Sequence, residues 1–179
     1  MTAESAPTQR PTAVPGRSCG TCTLCCKLLQ VPEVEKPLGE WCRHCDKGVG
    51  CTIYAERPQR CRDFFCGYLQ SANLSDEWHP VRARFLITRE GDELTLYVDR
   101  AAPDAWRKPP YYSLIKHWAR DPQSRLVLVR IGKRTIVVLP GADVDVGATE
   151  PGDRIEWFAR RGPNGLEYSA RVVQRVAQP

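Results

Sequence analysis

Nine cysteines, at positions 19, 22, 25, 26, 42, 45, 51, 61 and 66, crowd into one stretch of a 179-residue chain, and none follows Cys66. Such crowding restricts the local fold to a disulfide framework, a metal site or a set of buried thiols. The count is odd, which would leave one thiol over in a disulfide framework. Residues 1–17 carry no apolar segment of the kind that heads a secretory signal. They are rich in Ala, Pro, Thr and Ser and read as a disordered tail. The expected setting is therefore the cytoplasm, where thiols persist as metal ligands, nucleophiles or core residues. No apolar run approaches the roughly 18 residues of a membrane span, so no membrane partner is expected.

Spacing points to a metal ion as the partner. Soft thiolates suit zinc and iron–sulfur clusters, and a two-residue gap lets both sulfurs of a short turn face one ion. Cys19-x2-Cys22 followed by Cys42-x2-Cys45 fits the paired zinc-ribbon spacing, and Cys22-x2-Cys25 with the same second pair fits equally. The run Cys19-x2-Cys22-x2-Cys25 also matches a three-cysteine loop of the kind that wraps a [4Fe–4S] cluster, without the terminal Cys-Pro. Zinc and an iron–sulfur cluster both stay open. Adjacent Cys25 and Cys26 diverge by about 100° on a helix. One is expected to face a first site, and the other a second site or the core. Cys51, Cys61 and Cys66 come from separate segments and would tie a later helix to the early loop. All nine cysteines are candidate ligands. His44, inside Cys42-Arg43-His44-Cys45, is expected to be exposed or hydrogen-bonded instead.

The chain divides into the tail (1–17), a cysteine module (18–80) and a β-rich region (81–179). Within the module, a short helix is expected from about Cys22 to Leu29, broken off by Pro32 and Pro37. Residues 40–51 read as a tight loop with permissive glycines at 48 and 50. Residues 56–69 read as one helix with Pro58 in its first turn, which places Cys61, Phe65 and Leu69 on one face. Beyond Pro80 the pattern switches to period two. Residues 81–88 and 93–98 form an expected hairpin, as do 125–131 with 134–140. A third joins 154–161 to 166–176 around Pro163-Asn164-Gly165. Residues 109–121 read as a helix. The expected class is α+β: a cysteine-rich module with short helices packed on a mostly antiparallel sheet with one helix. The module is too polar for a large core of its own, and bound metal would substitute for one.

The motifs CGTCTLCC, WCRHC and GCTIYAERPQRCRDFFC resemble the CxxCxxCC family of zinc- or iron-chelating proteins, the YkgJ-type cysteine-cluster proteins. The resemblance covers about residues 18–70. It implies a bacterial cytoplasmic protein that chelates metal through Cys19, Cys22, Cys25, Cys26, Cys51 and Cys61, and it implies no particular reaction. For Cys42, Cys45 and Cys66 the ligand role rests on spacing.

Two other classes remain. An iron–sulfur-dependent redox or group-transfer enzyme would need a cofactor or substrate fingerprint, and neither a P-loop nor a dinucleotide-binding glycine pattern is present. The three histidines, His44, His79 and His117, read as ordinary surface or packing residues. A nucleic-acid-binding zinc module would draw on the basic excess of the C-terminal part. There Arg107, Lys108, Lys116 and Arg120 interleave with Trp106, Tyr111, Tyr112 and Trp118. The pI of about 8.8 falls below the roughly 9 that marks a basic footprint, so a solvated helix face over core aromatics is the favoured reading.

Overall fold

The computed structural model describes residues 12–121, 126–150, 153–163 and 165–173. Short elements come first: α1 (Cys25–Leu28), β1 (Cys45–Asp46), β2 (Gly50–Cys51), α2 (Gln59–Asp63), α3 (Gly67–Gln70) and α4 (Pro80–Ala83). The sheet region follows with β3 (Phe85–Glu90), β4 (Glu93–Val98), α5 (Tyr111–Trp118), β5 (Leu126–Ile131), β6 (Arg134–Val138), β7 (Asp143–Ala148), β8 (Arg154–Gly162) and β9 (Gly165–Val173). The class is α+β, with short helices and mostly antiparallel strands. No helix among the described residues is long and apolar enough to cross a membrane.

Strands β3 to β7 form one five-stranded sheet in sequence order. All its pairings are antiparallel except β4 with β5, which is parallel. A parallel pair needs a long crossover, and the connection carrying α5 supplies it. The third expected hairpin is the separate ribbon β8–β9, paired from Arg154↔Val173 to Gly162↔Gly165. Asn164 of its turn lies outside the described residues, as do Arg125 and 174–176 from the expected strands. β7 was not expected: its Asp143, Asp145 and Gly147 mask the alternating Val144 and Val146.

Both sheet faces are covered. On one, Phe85, Ile87, Leu96, Val127, Val129 and Ile136 join a core shared with Leu24, Leu28, Cys66, Leu69 and Trp78 of the cysteine module. On the other, Leu128, Val137 and Leu139 pack under Ile155, Tyr168 and Ala170 of the ribbon. The module's few apolar side chains therefore belong to the sheet's core. α5 is pinned through Asp143, which accepts from Tyr112 Oη at 2.9 Å and pairs with Arg107 at 3.0 Å and Lys116 at 3.3 Å.

Two expected elements end differently. Residues 56–69 are not one helix: α2 stops at Asp63, Phe64 and Cys66 are extended, and α3 begins at Gly67. Phe64 and Phe65 both pack against the core, and that packing outweighs helix propensity. Cys61, Phe65 and Leu69 therefore do not share one helix face. At Gly67 a Cβ would lie 3.1 Å from Ile87 Cβ, so a larger residue there would require Ile87 to give way, and glycine lets α3 sit this close to β3 without that. Residues 81–83 are helical rather than strand, because Pro80 opens α4 and Arg84 closes it in the left-handed region at φ 63°. Of the expected tail, 1–11 lie outside the described residues. Residues 12–17 run along the module, with Val14 N–H donating to Leu69 O at 2.8 Å.

Asp99, at the end of β4, joins module to sheet. Its carboxylate takes Lys27 Nζ from α1 at 2.5 Å, Arg84 Nη2 at 2.5 Å and Ala101 N–H at 3.0 Å, with its side chain 1% exposed. Burial alone would raise its pKa, but the lysine, the backbone donor and the arginine together hold it below the ordinary aspartate value. Removing one partner of a buried pair leaves the other charges uncompensated. Asp99→Asn is expected to cost about 3 kcal/mol in urea unfolding at pH 7. Because the folded-state pKa is depressed, that contribution is present above the unfolded value of about 3.9 and lost as pH falls through the folded one. The gap between wild type and variant should close below about pH 4.

Candidate metal centre

All nine cysteines are free: Cys19 is exposed, Cys66 is buried, and the other seven are partly covered. Backbone hydrogen bonds assemble them. Leu28 N–H to Leu24 O at 2.9 Å and Leu29 N–H to Cys25 O at 3.1 Å close the single turn of α1. Cys42 N–H donates to Cys26 O at 2.9 Å, which brings the Cys42–Cys45 loop onto α1. Cys45 N–H donates back to Cys42 O at 3.1 Å, so this two-residue gap forms a tight turn. Cys22 N–H does the same to Cys19 O at 2.8 Å. β1 and β2 set Cys45 directly opposite Cys51, and Gly48 turns the chain between them at φ 76°, a conformation that disfavours any side chain. Gly48 N–H donates to the buried Thr23 hydroxyl at 3.1 Å, fastening the turn to the segment before α1.

Cys26 lies at the middle of the cluster. It shares side-chain hydrogen bonding with Cys25 and Cys45. The contact with Cys25 and burial push its thiol pKa strongly upward. Cys45 is raised to about 11, first by burial and then by Cys26, against a hydrogen bond from Thr23. Cys61 is raised by burial and by its neighbours Cys26, Cys42 and Cys51. Cys19, Cys22 and Cys66 are raised chiefly by burial. Desolvation disfavours the thiolate, so these sulfurs need a cation to hold them ionised together.

Two cations stand nearby. Lys36 is 3% exposed, and its Nζ donates to Lys27 O at 2.8 Å, Pro37 O at 3.0 Å and Leu29 O. Burial lowers its pKa to about 8, against the pull of Cys42, Cys26 and Cys25. Arg57 lies near Cys19 and opposes the rise of its pKa. Its guanidinium covers the Tyr54 ring at 3.8 Å. Sequence reading missed Lys36, because a lone lysine between prolines carries no pattern. Arg57 stood in the quoted ERPQRC motif without an assigned role.

Cys42 and Cys45 meet Cys26, and Cys19 and Cys22 neighbour both Cys26 and Cys66. The donor set is all sulfur. Among the described residues, no three His, Cys, Asp or Glu side chains converge tightly enough to hold one ion. His44 is not among the sulfurs' partners: its Nε2 accepts from Arg43 Nε at 3.1 Å. His79 caps α4 and meets the Tyr68 ring edge-on at 5.2 Å. Around α5, Arg107 and Lys116 pair with Asp143 while Lys108 and Arg120 are exposed. Trp106 is fully buried, Arg107 covers its ring at 4.2 Å, and Trp118 packs on Trp78 at 5.3 Å.

Compared with protein-family models, curated proteins and solved structures, the chain matches none of them. The Lys36 contacts give a direct test of how the cluster is held. Lys36→Met leaves three carbonyls without their donor and should lower the free energy of unfolding by about 2 kcal/mol, more than a change at an exposed lysine does. Hydrogen exchange should localise the loss to the segment around residues 27–37.

Proposed function

We propose that residues 18–80 bind metal through their cysteines, as a zinc site or an iron–sulfur cluster. The observation that carries this reading is that Cys19, Cys22, Cys25, Cys45 and Cys61, from three separate segments, all have Cys26 as a near neighbour. Buried structural thiols would have no reason to meet in this way, since each could pack alone as a small apolar residue. Neighbouring thiols raise one another's pKa, and metal binding relieves that conflict by replacing their protons. The sulfurs of Cys22 and Cys66 also accept backbone N–H bonds, from Leu24 and Val81 and from Leu69 and Tyr68. Such donors favour a thiolate and fix its direction.

Cys26, Cys42, Cys45, Cys51 and Cys61 would hold the ion or cluster, with Lys36 offsetting part of their charge. A bound metal would supply a cross-link between α1, the β1–β2 turn and α2. Ligation requires the thiols to lose protons and turn inward. In this reading the metal serves structure or regulation, and the family resemblance of the motifs agrees with chelation.

Protein purified without oxygen tests the reading by metal analysis and optical spectrum. Brown protein with iron and sulfide identifies a cluster, and colourless protein with stoichiometric zinc identifies a zinc module. Protein carrying neither, with nine titratable thiols, overturns it. Cys26→Ser should lower the metal content by at least one equivalent, whereas His44→Ala should leave it unchanged.

A further inference from the structure

Two of the nine sulfurs are held opposite each other by backbone pairing. β1 and β2 are antiparallel, and Cys45 is the register partner of Cys51. One residue further along, Thr52 N–H donates to His44 O at 2.9 Å. Hydrogen-bonded and non-hydrogen-bonded pairs alternate along an antiparallel ladder, so Cys45 and Cys51 are a non-hydrogen-bonded pair. Such partners point to the same face, with Cα atoms about 4.5 Å apart. A disulfide needs Cα atoms roughly 4.4–6.8 Å apart, so this pair can be bridged without moving the backbone. Among the described residues, no other two cysteines are strand partners.

The turn between them fixes the pair and leaves it within reach. Gly48 holds the turn at φ 76° and fastens it to the Thr23 hydroxyl. Val49 beside it is 67% exposed, and both cysteines are only partly covered. A small oxidant has access from that side.

We propose that Cys45 and Cys51 are a reversible oxidation site, closed to a disulfide by a small-molecule disulfide of the glutathione kind, and that this bond and bound metal exclude each other. The exclusion rests on the metal-binding reading above and gives that site its regulation. One cysteine thiolate attacks a sulfur of the oxidant, breaks its S–S bond and releases one thiol. The other cysteine attacks the protein-side sulfur of the mixed disulfide and releases the second thiol. The protein gives up two electrons and two protons, and the oxidant leaves as two thiols. A bridged sulfur has no thiolate charge to offer a cation. Cys45 also shares hydrogen bonding with Cys26, which neighbours Cys19, Cys22 and Cys61. Withdrawing Cys45 therefore reaches the middle of the cluster.

The test uses the full chain, reduced, freed of metal and treated with oxidised glutathione without oxygen. Titratable thiols should fall by two from nine. Trypsin cuts after Lys47, between the two cysteines, so the bond should join peptide 44–47 to peptide 48–60. The oxidised protein should take up at least one equivalent less Zn²⁺ than the reduced protein, and dithiothreitol should restore it. With free Zn²⁺ at about ten times its Kd, the two thiols should be lost about tenfold more slowly. Cys51→Ser should abolish the cross-link, and Cys61→Ser should keep it. A bond joining Cys26 to Cys45 instead, no loss of thiols, or a bridged protein that takes up as much Zn²⁺ as the reduced one would overturn the proposal. Reduced protein that forms the cross-link but takes up neither zinc nor iron would overturn the metal-binding reading, and the exclusion with it, while supporting the oxidation site.

Discussion

Asp99 is the point on which the attachment of the cysteine module depends. Nearly sealed from water, this carboxylate gathers Lys27 from α1, Arg84 from the turn before β3, and the backbone of Ala101. A buried charge is tolerated only when such partners are fixed in place. Its presence at the end of β4 therefore requires α1 to sit where it does. Lys27 follows Cys26 directly, so the same contact that completes the carboxylate's surroundings also orients the helix that carries Cys25 and Cys26. Leu24 and Leu28 then reach the sheet's core from that helix. The module has no interior of its own to set these positions; it uses the sheet's.

Burial creates an opposing pressure in the cluster. Packing thiols together raises their pKa values, most strongly at Cys26, where the Cys25 contact and desolvation outweigh the hydrogen bond with Cys45. A nearby cation relieves part of this, and the fold places Lys36 and Arg57 for it. Lys36 is itself disfavoured by burial and is held by three carbonyls. One lysine and one arginine cannot balance many thiolates. Such an arrangement is stable either with most thiols protonated or with a bound cation.

The features that were legible in the sequence are local ones. The hairpins β3–β4, β5–β6 and β8–β9 were announced by period-two strands around glycine-bearing turns, and α5 by Tyr111/Ile115 and Leu114/Trp118 spacing. The pairing of β4 with β5 was not legible, because nothing local says which strand follows a crossover. The break at Phe64–Cys66 was hidden for a similar reason. Pro58 and the periodic apolar residues suggested one continuous helix, but Phe64 and Phe65 both turn to the core and Gly67 must approach Ile87. The cysteine positions pointed to chelation by density and spacing. Their grouping depended on contacts between segments: Arg17 with the 68–74 stretch, and Cys42 with Cys26.

The break at Phe64–Cys66 also has a consequence for the sulfurs. In a continuous helix, Cys61 and Cys66 would lie about 140° apart yet on the same rod, and one cluster would have to span both. The extended residues between α2 and α3 remove that coupling. Cys61 stays with α2 among Cys26, Cys42 and Cys51, while Cys66 caps α3 against the sheet, next to Cys19 and Cys22. Cys66 is fixed by the core, because α3 is seated on β3 through Gly67. Cys61 is carried by a short helix with no buried residue. Sites held by rigid, packed elements keep their geometry, and sites on short exposed ones adapt to what binds. The sheet therefore steadies one side of the cysteine module more firmly than the other, through Gly67 against Ile87 and through Cys66 in the core.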